Sequence, residues 1–204
     1  MKIFQALTTI TMLIVCTHGH ETYSGITLTN GLNTDGCMEP VSRDPKPGYL
    51  MTLQTCDGGD SQKFDIRVSD TNDYYQNSFQ IRKTIGGVDL CAFLRKTNIF
   101  EPRGRLRMDA CEDVFSRFFT DFFYDENPSH FGVLDKTITP VDAYGVDYCL
   151  TGRGLDQDIG DNIIAFDVSA YGRKSPSRPR FSWDFGADDS DTVDALLEDL
   201  AHHA

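Results

Sequence analysis

Apolar residues in this chain come in short runs that alternate with polar positions, and helical spacing is rare. Strand signals of this kind fall at 26–28, 50–53, 64–68, 79–81, 90–93, 106–108, 118–123 and 163–168. Pro45-Lys46-Pro47-Gly48, Asp57-Gly58-Gly59-Asp60, Ile85-Gly86-Gly87 and Gly152-Arg153-Gly154 punctuate them, and Asn30-Gly31 marks an early turn. Gly and Pro supply turn geometry and end strands there. Short strands between such turns predict an all-β barrel or sandwich. A helical period appears only in the tail. Val193, Leu196, Leu197 and Leu200 lie at i, i+3, i+4 and i+7, with Asp191 and Asp194 ahead of them and His202-His203 behind. This order suits a short acidic helix, docked on its own body or on a partner.

The strand pattern repeats. Cys37 and Cys56 lie 19 apart, Cys91 and Cys111 20 apart, and each second cysteine follows apolar residues five and three positions earlier. Those residues are Met51 and Leu53, then Leu106 and Met108. A third copy begins at Cys149 and reaches Ser169 after Ile164 and Phe166 at the same offsets. Each copy closes on aromatics: Gln62-Lys63-Phe64, Arg117-Phe118-Phe119, and Arg180-Phe181-Ser182-Trp183. Three related units that cannot bury an apolar face alone favour a threefold arrangement, with Phe64, Phe118 and Phe181 or Trp183 meeting near its axis.

Residues 1–19 carry Lys2, an apolar run at 10–16, and Thr17 and Gly19 at minus three and minus one of a cleavage point. That is the form of a secretory signal peptide. A spanning helix needs roughly 18 or more apolar residues, so no membrane span is expected. Secretion gives the cysteines an oxidising compartment in which they pair. Cys16 leaves with the leader, the repeat pairs Cys37 with Cys56 and Cys91 with Cys111, and Cys149 is left odd. It is then either a buried thiol or a site for an intermolecular disulfide.

The net charge of −12 argues against nucleic acid as a partner, because phosphate binding needs a basic face. Asp188, Asp189, Asp191, Asp194, Glu198 and Asp199 crowd the tail, where there is no Lys or Arg. Two basic stretches stand out from this background. Arg173-Lys174-Ser175-Pro176-Ser177-Arg178-Pro179-Arg180 is either a solvated loop or a dock for sulfated glycans or the acidic tail, and Arg103, Arg105 and Arg107 alternate along one strand.

A cysteine, a turn, an apolar strand ending in a second cysteine about 20 residues on, and then Gln-x-aromatic resembles the ricin B-type lectin family. The resemblance implies a β-trefoil of three pseudo-repeats, plus the short C-terminal acidic helix. It divides the chain into a signal peptide at 1–19, a ricin B-like domain at 25–185 and an acidic amphipathic tail at 186–204. The repeats then fall at about 25–70, 78–124 and 136–185. Such lectins grip sugar hydroxyls with an Asp two residues after the first cysteine, stack an aromatic on the ring, and support both with Asn-Gln. Here the Asp position holds Glu39, Phe93 and Thr151, and the position two before the second cysteine holds Gln54, Asp109 and Asp167. The first copy alone keeps a carboxylate. Its carbohydrate-binding candidates are Glu39, Gln54 and Gln62, with Tyr49 in place of the missing ring. Gln62 equally suits a structural role, bonding backbone inside the fold.

Catalytic signatures are absent. The mature histidines are His20, His130, His202 and His203, three of them in tails, and no Gly-x-Ser-x-Gly, His-Glu-x-x-His or phosphate-binding loop occurs. Asp156-Gln157-Asp158-Ile159-Gly160-Asp161 departs from a calcium loop, with its glycine one place early and no closing glutamate. The sequence therefore reads as a secreted, non-enzymatic, carbohydrate-binding trefoil without cofactor or metal, whose ligand is a glycan or glycoprotein. The alternative is a trefoil that binds or inhibits a protein partner through its loops and acidic tail.

Overall fold

Alternation at period two puts every second side chain on the same side of an extended chain. The computed structural model describes residues 21–43, 48–69, 78–96, 102–114, 118–125, 136–140, 148–153, 156–167 and 181–201. Among these, the strands are β1 (Thr22–Asn30), β2 (Gly36–Arg43), β3 (Tyr49–Thr55), β4 (Phe64–Val68), β5 (Ser78–Ile85), β6 (Val88–Lys96), β7 (Pro102–Ala110), β8 (Phe118–Phe119), β9 (Phe122–Asp125), β10 (Thr137–Pro140), β11 (Tyr148–Gly152), β12 (Ile163–Asp167) and β13 (Trp183–Gly186). Two helices, α1 (Cys111–Val114) and α2 (Ser190–Ala201), complete the described secondary structure apart from one 3-10 turn, Asp60–Gln62. The expected signal peptide at 1–19, Ser169, the basic segment 173–180 and the four histidines named above lie outside the described residues.

Seven antiparallel strands close a barrel in the order β1, β2, β3, β7, β6, β5, β4 and back to β1. A second ring runs through β1, β4, β5, β9, β10 and β13, closed by the bridge Thr137↔Ser182 and by β13 on β1. Outside it stand three antiparallel pairs, β2–β3, β6–β7 and β11–β12. These pairs touch one another in rotation: Leu50 faces Arg107, Arg105 faces Ile164, and Asn162 faces Thr52.

Turn chemistry fits the connections. Gly86 and Gly87, at φ +60° and +80°, form the two-residue link between β5 and β6, where both central residues need positive φ. At the entrance to β3, a Cβ on Gly48 would stand 2.9 Å from the Met108 carbonyl oxygen, so glycine alone lets this hairpin cross β7 closely.

The main core gathers Ile26, Leu28, Met38, Met51, Leu53, Phe64, Phe79, Leu106, Met108, Phe122, Ile138, Leu150, Ile163 and Trp183, all fully buried or nearly so. Phe122 fills the place expected for Phe118. Phe118 lies on β8, which among the described residues pairs with β6 alone, because the single strand expected at 118–123 breaks at Thr120 and Asp121. Trp183 enters this core, whereas Phe181 packs with Cys149 and Phe166 in a separate cluster.

The third copy is also corrected by one residue. Ile163 is buried at 0% exposure while Ile164 and Phe166 are half-buried, so Ile163 and Ala165 stand where Met51 and Leu53 stand in the first copy. The register agrees. Cys37 faces Gln54 and Cys91 faces Asp109, each two residues before its second cysteine, while Cys149 faces Phe166. Counted this way, the second-cysteine position of the third copy is 168, one earlier than Ser169.

The tail docks on its own body. Leu196 and Leu200 are buried in the main core, with Val193 and Leu197 packed against it. Asp189 accepts from the Asp191 amide at 3.1 Å and so caps the first turn. Tyr23 Oη donates to Asp199 Oδ2 at 2.5 Å, and Lys63 pairs with Asp188 at 2.7 Å. On β7, Arg105 and Arg107 alternate with buried Leu106 and Met108, but Arg103 is set apart from them. Gly104, at φ +97°, sits in a register shift where Leu94 alone on β6 spans Gly104, Arg105 and Leu106.

Candidate functional site

The first hairpin separates its residues by parity. Met38, Met51 and Leu53 point into the core, and the opposite face carries Cys37, Glu39, Thr52 and Gln54, with Glu39 directly across from Thr52 and Cys37 across from Gln54. The Cys37–Cys56 disulfide ties the base of the hairpin. Glu39 is therefore held at a fixed height on a sheet face. Gln54 Nε2 donates to Thr52 Oγ1 at 2.9 Å, which positions its amide beside the same face.

Gln62 anchors this arrangement from behind. Its side chain is 1% exposed at the end of the 3-10 turn. Oε1 accepts from the Asp57 amide at 3.0 Å, and Nε2 donates to the Thr55 carbonyl at 2.7 Å and to Glu39 Oε2 at 3.0 Å. One amide thus bonds backbone inside the fold and also reaches Glu39. Asp57 in turn accepts from the Gly59 amide at 2.7 Å, closing the loop that presents Gln62.

Sequence reasoning missed Lys83, twenty residues beyond Lys63 on β5. Its Nζ donates to the Asp60 carbonyl and, at 2.5 Å, to the Lys63 carbonyl, and lies 5.4 Å from the centroid of the Phe64 ring. Burial pulls its pKa down, against the pull of the Asp60, Asp65 and Glu39 carboxylates. Only the pairing of β5 with β4 could have revealed it.

Tyr49 does not join the group. It shares the parity of Met51 and Leu53, packs against the main core and faces Met108. The face therefore holds Glu39, Gln54 and, through Glu39, Gln62, with no aromatic ring among these candidates. Glu39 Oε1 and Gln54 Oε1 have no hydrogen-bond partner among the described residues. Two acceptors on one sheet face suit a ligand rich in hydroxyl donors.

The other copies are spent on packing. Phe93 is buried with Cys91, Cys111 and Val114 beside the Cys91–Cys111 disulfide. Thr151, at 0% exposure, donates to Gln157 Oε1 at 3.2 Å, and Gln157 bonds both the amide and the carbonyl of Gly152. In the third copy, Phe166 rather than Asp167 stands opposite the first cysteine, its ring 6.2 Å from that of Phe181. Cys149 is buried, with its sulfur 3.8 Å from Thr139 Oγ1.

Among the described residues no group of three or more His, Cys, Asp or Glu could hold a metal ion, and no helix is long and apolar enough to cross a membrane. The fold and face together define an all-β protein with a closed barrel, two disulfides and a polar hairpin wall. No family model and no curated protein matches the chain. A solved structure described as "Structure and mode of action of a mosquitocidal holotoxin" is similar in fold, with a TM-score of 0.55 at 10% identity. The match covers 83% of this chain and 17% of that one, so this chain spans a small part of that protein's length. Another, the solution structure of an mdaA-1 domain, matches over 83% of this chain and 91% of that one, at 14% identity and a TM-score of 0.45.

Proposed function

We infer that this chain is a secreted β-trefoil of the ricin B-like kind that binds carbohydrate through its first hairpin and performs no catalysis. The trefoil reading is supported by the rotation of contacts among the three hairpins and by the ring of six strands beneath them. Two disulfides favour an oxidising, extracellular setting. The observation that carries the binding reading is the half-buried Glu39 carboxylate, with one oxygen fixed by buried Gln62 and the other without a hydrogen-bond partner among the described residues. A sugar hydroxyl would donate to Glu39 Oε1 and a second to Gln54 Oε1.

A glycan array probed with the mature protein tests this. Binding of at least one glycan, lost in Glu39→Ala and weakened in Gln54→Ala with unchanged thermal unfolding, is the expected result. A blank array would sink the reading.

A second reading, recognition of a protein partner, draws on the outer face of α2, where Asp191, Asp194 and Glu198 are exposed. Deleting the tail would confuse the comparison, because Leu196 and Leu200 belong to the core. Neutralising Asp191, Asp194 and Glu198 together tests it cleanly: loss of a partner with glycan binding intact would favour this reading.

A further inference from the structure

The second hairpin carries the opposite charge to the molecule that bears it. Between Arg95 and Arg107 the chain has Arg95, Lys96, Arg103, Arg105 and Arg107 against a single carboxylate, Glu101, in a protein of net charge −12. The register sets positions Arg95 and Arg103 directly opposite each other on β6 and β7. Like charges placed directly across a strand pair destabilise it. The strand pair is also broken next to them by the Gly104 shift, and such bulges bend a strand and re-aim the side chains around them. Arg105, within the shift, is exposed and has no ion-pair partner among the described residues. Arg107, two positions on, is half-buried on the same side of β7.

An anionic polymer is drawn to this local excess of basic residues in an otherwise acidic chain.

We propose that the β6–β7 hairpin is a second binding site, for a sulfated polysaccharide. Guanidinium groups match oxyanions with paired N–H donors and are lightly hydrated, which suits them to sulfate. A single flexible chain fits a footprint of one hairpin. Duplex nucleic acid instead presents a charge every 1.7 Å or so along its axis and needs a broader basic face than this acidic surface offers. This site shares no residue with the Glu39 wall.

The test is binding of the purified mature chain to immobilised dextran sulfate, with plain dextran and duplex DNA as companions. Dextran sulfate should retain the protein at about 50 mM salt and release it as salt rises. Plain dextran should not retain it. Arg105→Gln combined with Arg103→Gln should weaken binding roughly tenfold or more, the loss of two charge-assisted contacts. Arg67→Gln on the barrel wall and Glu39→Ala should leave it unchanged, so this site and the sugar wall succeed or fail separately. Arg105→Gln alone, at an exposed position, covers the case in which the double variant does not fold. No retention, equal loss in Arg67→Gln, tighter binding of DNA, or salt-sensitive self-association abolished by Asp191→Asn with Glu198→Gln would each overturn the proposal.

Discussion

Replacing Gln62 by Ala removes three hydrogen bonds at once and leaves the Asp57 amide and the Thr55 carbonyl without that partner. The expected loss, read by urea denaturation, is about 2–4 kcal/mol, since each net bond is worth about 1 kcal/mol and each buried orphan costs about 1–3. Glu39→Ala should cost less than about 1 kcal/mol, because only one of those bonds ends on its half-buried carboxylate. The pair of variants separates support from contact: glycan binding should vanish in both, but stability in one. At this scale the sequence was informative where spacing is local. The resemblance to ricin B-type lectins pointed to Gln62 through the Gln-x-Phe motif and to Glu39 through the position of the family's Asp. Tyr49 was misplaced because the side of the sheet that a residue takes depends on strand parity, and β2, its partner strand, left no alternating apolar signal around Pro40. Lys83 was silent because its partners are carbonyl groups on a turn twenty residues away.

Elements add their own tests. The Cys37–Cys56 bond closes a loop with a sequence separation of 19, and removing it by double Ser substitution should lower stability by about 3 kcal/mol, measured by the shift in denaturant midpoint. Helix α2 contributes Leu196 and Leu200 to the core, so truncation after Gly186 should cost on the order of 3–6 kcal/mol at about 1.5–3 per buried leucine. Tyr23 makes the helix contact sensitive to alkali. Burial and the bond to Asp199 raise its pKa well above that of an ordinary phenol. Its folded form therefore keeps a proton that the unfolded chain gives up above about pH 10, and stability should fall as pH rises past that point. Lys83 acts with the opposite sign, since its lowered pKa means that the unfolded chain binds more protons in the window below 10.5, so stability gains there as pH rises. Thermal unfolding of Tyr23→Phe between pH 9 and 11 should show a shallower alkaline decline than the parent protein. An equal decline would remove Tyr23 from the explanation. The helix was legible in sequence because its period has no competitor nearby, whereas β10 and β13 are four residues each and too short to leave a pattern.

At the scale of the whole molecule, the proposed three related lobes draw their support from register more than from resemblance. Leu50 and Arg105 lie six positions before Cys56 and Cys111, and their partners, Arg107 and Ile164, each belong to the next hairpin. Asn162 returns the contact to Thr52, and the rotation is consistent only if the third copy is counted to position 168. The period was visible in the cysteine spacing, but the one-residue offset was not. Ile163, Ile164 and Phe166 are all apolar, so hydrophobicity alone cannot say which of them face inward. The most direct measurement is therefore chemical. Cys149 is a buried thiol at the first-cysteine position of the third lobe, and in the other lobes the bond joins that position to the residue two beyond its cross-strand partner. Val168→Cys and Ser169→Cys should be made separately, and thiols counted with and without reductant alongside mass mapping of the unreduced peptides. Three related lobes predict a Cys149–Cys bond in the Val168→Cys protein and none in the Ser169→Cys protein. Bonding in the second variant alone, or in neither, would contradict that account.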